Sequence, residues 1–116
     1  NPYHFAILHY LNPSEHGGTG LFRHTATGFE RITEERVGRY IKSSEQFMEL
    51  NGEPDAKYHN SSSDLFKLYD EIAYKQNRLV IYPGNLLHST IVDLQKDIDG
   101  SPQTGRLTSN IFVDFI

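Results

Sequence analysis

Arg78-Leu-Val-Ile-Tyr-Pro-Gly-Asn-Leu-Leu-His88-Ser-Thr90 and Gly105-Arg106-Leu-Thr108-Ser-Asn-Ile-Phe-Val-Asp-Phe115 are the stretches whose reading decides the fold. The first reads as a strand, a Pro-Gly-Asn turn and a second strand carrying one histidine. The second alternates: Leu107, Ile111, Val113 and Phe115 occupy apolar-compatible positions, and Arg106, Thr108 and Asn110 occupy the other face. A histidine and an arginine on neighbouring strands are then expected to look into one cavity.

Working outward, residues 5–11 form a near-continuous apolar run closed by Asn12-Pro13, which suits a strand buried on both faces and stopped by a turn. A Gly17-Gly18 loop follows, and residues 19–23 form the next strand, so that the two look like consecutive strands of one antiparallel or barrel sheet. Residues 25–63 are polar and read as an insertion or lid packed on the side of the sheet. Two short helices are expected in it, residues 34–41 capped by Thr33 and residues 45–50 capped by Ser44, the latter ended by Asn51-Gly52. Residues 53–63 read as a loop, and its Asn60-Ser61-Ser62 triplet, formally a glycosylation acceptor, as polar loop residues. Residues 65–74 fit both a helical face and period two; their place just before the Arg78 strand favours a strand. With the long acidic loop at 93–105, the pattern is about seven short strands in an all-β sandwich or small barrel.

At 116 residues the chain holds one domain, residues 1–116. A net charge of −4 without a basic cluster argues against nucleic acid as a partner. The absence of cysteine excludes disulfides and thiolate metal sites. No apolar run approaches the length that crosses a bilayer, and the N-terminus lacks the basic-then-apolar pattern of a signal peptide, so the expected location is cytoplasmic. The chain starts at Asn1 with an apolar run almost at once, which reads as a piece of a longer protein. The exposed edges of so small a β domain make a dimer plausible.

His88, placed after a glycine turn, suits a metal ligand, a general base or a buried residue with satisfied hydrogen bonds. Arg106, on an otherwise apolar strand, needs a carboxylate or phosphate to meet its planar fork, or else a structural ion pair with an acid such as Asp93 or Asp114. Thr108, two residues on, adds a hydroxyl on the same face. Of the other histidines, His4 and His9 flank a strand at odd separation and face opposite sides. His16 and His24 bracket the Gly-Gly loop and could approach each other across a hairpin as an alternative metal site, but the expectation for them is the surface or rim.

Taken in order, Tyr10-Leu11-Asn12, Gly17-Gly18-Thr19 with Phe22, Asn77-Arg78-Leu-Val-Ile-Tyr-Pro-Gly with His88-Ser89, and Gly105-Arg106-Leu-Thr108 resemble the iron(II)- and 2-oxoglutarate-dependent oxygenases, in particular their prolyl-4-hydroxylase-like branch. The resemblance covers both ends of the chain and skips the middle. It implies a mainly β fold, a double-stranded β-helix of the jelly-roll or cupin type. It also implies Fe(II) on two histidines and a carboxylate, with positions left for 2-oxoglutarate and O₂. Carried over, His88 matches the distal iron ligand, Arg106 the partner of the far carboxylate of 2-oxoglutarate, and Thr108 its hydroxyl helper. Tyr10 and Thr19 match pattern positions in the fold or pocket wall. The first ligand pair, His-x-Asp or His-x-Glu, occurs nowhere in these residues and is expected at or before Asn1. The substrate is a small molecule or peptide, chosen by the 25–63 insertion. A double-stranded β-helix binding module without iron is the alternative.

Overall fold

The computed structural model describes residues 3–53, 59–98 and 100–116. Its six strands are β1 (His4–Tyr10), β2 (Thr19–His24), β3 (Phe66–Ile72), β4 (Leu79–Pro83), β5 (His88–Thr90) and β6 (Thr108–Asp114). They form two antiparallel three-stranded sheets, ordered β4-β1-β6 and β3-β2-β5. Neither sheet closes on itself. The chain is mainly β, as expected, with one strand fewer than the sequence suggested among the described residues. The ambiguous run after residue 65 is a strand, β3.

The strand pairing differs from the sequence reading in a consistent way. β1 and β2 do not pair; β1 is the centre of one sheet and β2 the centre of the other. The Pro-Gly-Asn turn does not close a hairpin, because β4 lies in the first sheet and β5 in the second. β5 and β6 are likewise not neighbours. Of the five connections, only β2 to β3 stays within one sheet. The physical reason is that turn chemistry and period-two alternation specify where a strand begins and which way its side chains face, and neither specifies its partner.

β1 is buried on one face rather than both. Ala6, Leu8 and Tyr10 are buried, and Tyr82 joins them from β4 as the core, with Ile72, Tyr74, Val80 and Leu86 packed against it. Burying a side chain such as Leu8 contributes about 2 kcal/mol. In antiparallel register opposed residues share a face. Tyr10, Leu8 and Ala6 lie opposite Thr108, Asn110 and Phe112, so the side of β6 turned toward the core is the one carrying Thr108 and Asn110. The apolar side points outward: Ile111 is 55% exposed, and Leu79 and Ile81 on β4 are 57% and 61% exposed.

The 25–63 segment starts as part of the sheet rather than as an appendage. Phe29 is buried, Leu87 N–H donates to Glu30 O and Ile32 N–H donates to Asn85 O, so residues 29–32 run beside 85–87. One helix then follows instead of two: a single 3-10 turn, Glu34–Arg36, leads directly into α1 (Val37–Asn51). No proline interrupts the run, and Ser44 sits mid-helix with its hydroxyl donating to Tyr40 O instead of capping a new helix. Thr33 occupies the cap position without a side-chain cap bond, its carbonyl accepting from Arg36 and Val37. Asn51-Gly52 ends the helix as expected; Gly52 takes φ +77° and its N–H donates to Met48 O. Part of the 53–63 loop lies outside the described residues. Asn60 does more than fill it, its amide exchanging two hydrogen bonds with the backbone of Val92.

Candidate functional site

The two sheets meet through Tyr10 and Thr19, whose hydroxyls are 2.7 Å apart and buried. Thr19 therefore faces the first sheet, and β2 alternation places Leu21 on the same side. His88 is opposed to Leu21 and shares that face. Its ring meets Tyr82 edge to face at 4.7 Å, across the gap between the sheets. Thr108, opposite Tyr10, faces the same gap from the other side. His88 and Thr108 thus stand on different sheets, where neighbouring strands had been expected.

The His88 Nδ1 lies 2.7 Å from Leu86 O. A carbonyl only accepts, so Nδ1 carries the hydrogen and Nε2 presents a lone pair. Metal-ligating histidines take this arrangement, one nitrogen fixed by a carbonyl and the other turned to the ion. No group of three histidine, aspartate or glutamate side chains able to hold a metal occurs among the described residues. His88 accordingly stands outside any such group and offers a single ring nitrogen, Nε2.

Arg106 sits two residues before β6, and its partners are not the acids the sequence offered. Nε–H donates to Gly17 O at 2.7 Å and Nη2–H to Gly18 O at 3.1 Å. The guanidinium lies over Tyr10 and Tyr74, 5.6 and 5.9 Å from the ring centroids. Asp114 pairs instead with His4, and Asp93 accepts from Gln95 and Lys96 backbone N–H groups. Among the described residues no carboxylate lies within ion-pair distance of Arg106. Two of its five N–H groups are used by carbonyls, which orient the fork without neutralising it. A half-buried, oriented cation with no ion-paired carboxylate among the described residues is suited to an anionic ligand.

The Gly17-Gly18 loop that holds Arg106 has no room for side chains. A Cβ on Gly17 would lie 1.8 Å from Ile91 O, and one on Gly18 1.9 Å from Ile72 O. Beneath the loop is a buried pair that sequence reasoning missed. His16 Nδ1 donates to Asp97 Oδ1 at 2.7 Å, with side chains 1% and 2% exposed. The Asp97 carboxylate also accepts from Gly17 N–H and Asp93 N–H, and its carbonyl accepts from Arg106 N–H. The other ring nitrogen of His16 faces Pro13 O at 3.1 Å. Asp97 sits in what reads as a solvated acidic loop, and the His16 ring and Gly17 N–H that it holds are about eighty residues away, so the sequence around it does not mark the pair. Tyr74 completes the surround, its hydroxyl donating to Asn12 O at 2.8 Å. Burial pushes that hydroxyl above its ordinary value of 10.0, which keeps it a donor.

His16 and His24 are buried rather than at the rim, and they serve separate places. His16 joins the Asp97 network, while His24 is fully buried against Tyr40 and Phe66, its Nδ1 2.7 Å from the Thr27 hydroxyl. Polar rings are tolerated there because partners or aromatic edges surround them. His4 and His9 do face opposite sides of β1, with His4 stacked on Phe112.

Among the described residues no helix is long and apolar enough to cross a membrane. Neither curated proteins nor solved structures provide a match to the chain. One family profile, described as Family of unknown function (DUF6445), matches residues 1–113. With that match spanning nearly all of its length, the chain belongs to this family of unknown function, DUF6445.

Proposed function

We propose that this domain is the cosubstrate-binding part of an iron(II)- and 2-oxoglutarate-dependent oxygenase. The observation that carries the reading is Arg106, an oriented guanidinium with no acidic partner among the described residues. The winding is consistent with it: four of the five connections carry the chain from one sheet to the other, as a double-sheet β fold requires. The resemblance noted in the sequence supports it independently.

Each residue then has a defined task. Arg106 binds the far carboxylate of 2-oxoglutarate through the N–H groups that Gly17 and Gly18 leave available, and the two carbonyls hold the fork in place. Thr108 adds a hydroxyl to the same carboxylate. Tyr10 and Tyr74 wall the site and keep water from the guanidinium, which strengthens its attraction for an anion. His88 offers Nε2 to the metal, with its tautomer set by Leu86 O. When bound, Fe(II), 2-oxoglutarate and O₂ supply oxidative hydroxylation, in which 2-oxoglutarate gives succinate and CO₂ and the substrate gains a hydroxyl. The donor set here fits one metal ligand and the cosubstrate clamp; a facial triad needs a second histidine and a carboxylate besides.

The test is succinate formation by the protein expressed from its complete gene, with Fe(II) and 2-oxoglutarate, alongside His88→Ala. The proposal requires turnover in the wild type, and loss of both turnover and bound metal in the variant. Binding of 2-oxoglutarate without turnover and without metal dependence assigns the domain instead to a binding module without iron.

A further inference from the structure

A cavity of about 220 Å³ lies on the face of the β3-β2-β5 sheet opposite to the one Thr19 turns toward Tyr10. Phe22 from β2, Phe66 from β3 and His59 surround it as rings that meet one another edge to face, with centroids 6.1 to 6.5 Å apart. Tyr40 from α1 closes it from above the sheet, so the 25–63 segment supplies two of the walls. It reaches His88 on the edge strand β5.

The lining carries no aspartate, glutamate, lysine or arginine among the described residues. Next to two of its rings lies His24, 4.8 Å from Tyr40 and 5.6 Å from Phe66. Its Nε2 is buried with no hydrogen-bond partner among the described residues, and burial lowers its pKa, so the ring stays neutral at neutral pH. Burial also raises the pKa of Tyr40 and keeps its hydroxyl protonated. An ion entering this cavity gives up hydration and meets no opposite charge, whereas a neutral ring meets π faces and edges on several sides. The size agrees: a purely apolar cavity of about 150 Å³ takes up benzene, so this one accommodates a substituted ring. A helix or strand of a partner protein needs a groove, which a cavity of this volume does not offer.

We propose that this cavity binds an uncharged aromatic ring; the ligand class rests on the cavity alone and is independent of the oxygenase reading above.

The cavity is tested by titrating p-cresol, acetate and tetramethylammonium separately into the full-length protein, following the His59 and His88 imidazole resonances by NMR. Saturable shifts with p-cresol and none with acetate are expected. Ser89→Leu fills the cavity from β5 and should weaken p-cresol at least tenfold; Tyr40→Ala, which removes a wall on the exposed helix, gives a second variant should the first fail to fold. Absence of saturable p-cresol binding, undiminished binding in both folded variants, or a preference for tetramethylammonium overturns the ligand class.

Discussion

Replacing Asp97 with alanine removes the one carboxylate that holds the Gly17-Gly18 loop, and the structure says how much should be lost. Three donors converge on that carboxylate: Gly17 N–H, Asp93 N–H and His16 Nδ1–H. Both members of the His16–Asp97 pair are almost fully buried. Removing one partner of a buried pair leaves the other without compensation and destabilises by about 3 to 5 kcal/mol. A domain of this size has about 5 to 15 kcal/mol in total, so the loss is a large share. In urea, with a slope of about 1 to 3 kcal/mol per molar, the midpoint should fall by about 2 M. Asp97→Asn keeps one acceptor oxygen and should lose roughly half as much on the same scale. Glu15→Gln, which breaks the exposed Lys96–Glu15 pair, should leave the midpoint where it was. Circular dichroism against urea reads all three. A midpoint shift in Asp97→Ala no larger than that of Glu15→Gln refutes the claim that this pair is buried and organises the loop. Because Arg106 leans on Gly17 and Gly18, Asp97→Asn should also weaken 2-oxoglutarate binding while the protein remains folded.

Gly17→Ala places a Cβ against Ile91 O and should destabilise by about 3 kcal/mol or more, seen as a lowered thermal midpoint. His24 has a pKa below its ordinary 6.5 because burial opposes its charge, so the unfolded chain binds the proton first. Stability should therefore be full above about pH 6.5 and decline as pH falls toward the folded-state value. His24→Asn should flatten that decline in pH-dependent urea titrations; an unchanged slope removes His24 as its source. Tyr74→Phe deletes the hydrogen bond to Asn12 O and should cost about 1 kcal/mol in the same assay.

Local chemistry made much of the fold legible. Alternation located β6, apolar runs closed by turn residues located β1 and β4, the Gly17-Gly18 loop marked the start of β2, and the short distance from residues 65–74 to the Arg78 strand placed β3. Strand partnership was not legible, since a Pro-Gly-Asn turn looks the same whether it closes a hairpin or carries the chain to a second sheet. The two expected helices merged because serine is as compatible with a helix interior bonded to its own preceding turn as with a cap. At the site, His88 and Arg106 stood out by being expensive residues in strand-like surroundings. What could not be read was that carbonyls, not acids, hold Arg106, because Gly17 and Gly18 are far away in sequence and act through their backbones. Asp97 and His16 were hidden for the same reason, each looking like a loop residue until its distant partner is in place. The apolar side of β6 also misled, as Thr108 and Asn110 are on the side that faces the core.

The most direct test of the account is calorimetric titration of 2-oxoglutarate into the full-length protein and its Arg106→Gln variant, with folding checked by circular dichroism. Loss of a charge-assisted bidentate contact costs about 2 to 5 kcal/mol, a weakening of about thirtyfold or more. The account predicts binding by the wild type and that loss in the folded variant. Absence of 2-oxoglutarate binding in the wild type, or equal affinity in the folded variant, would contradict it.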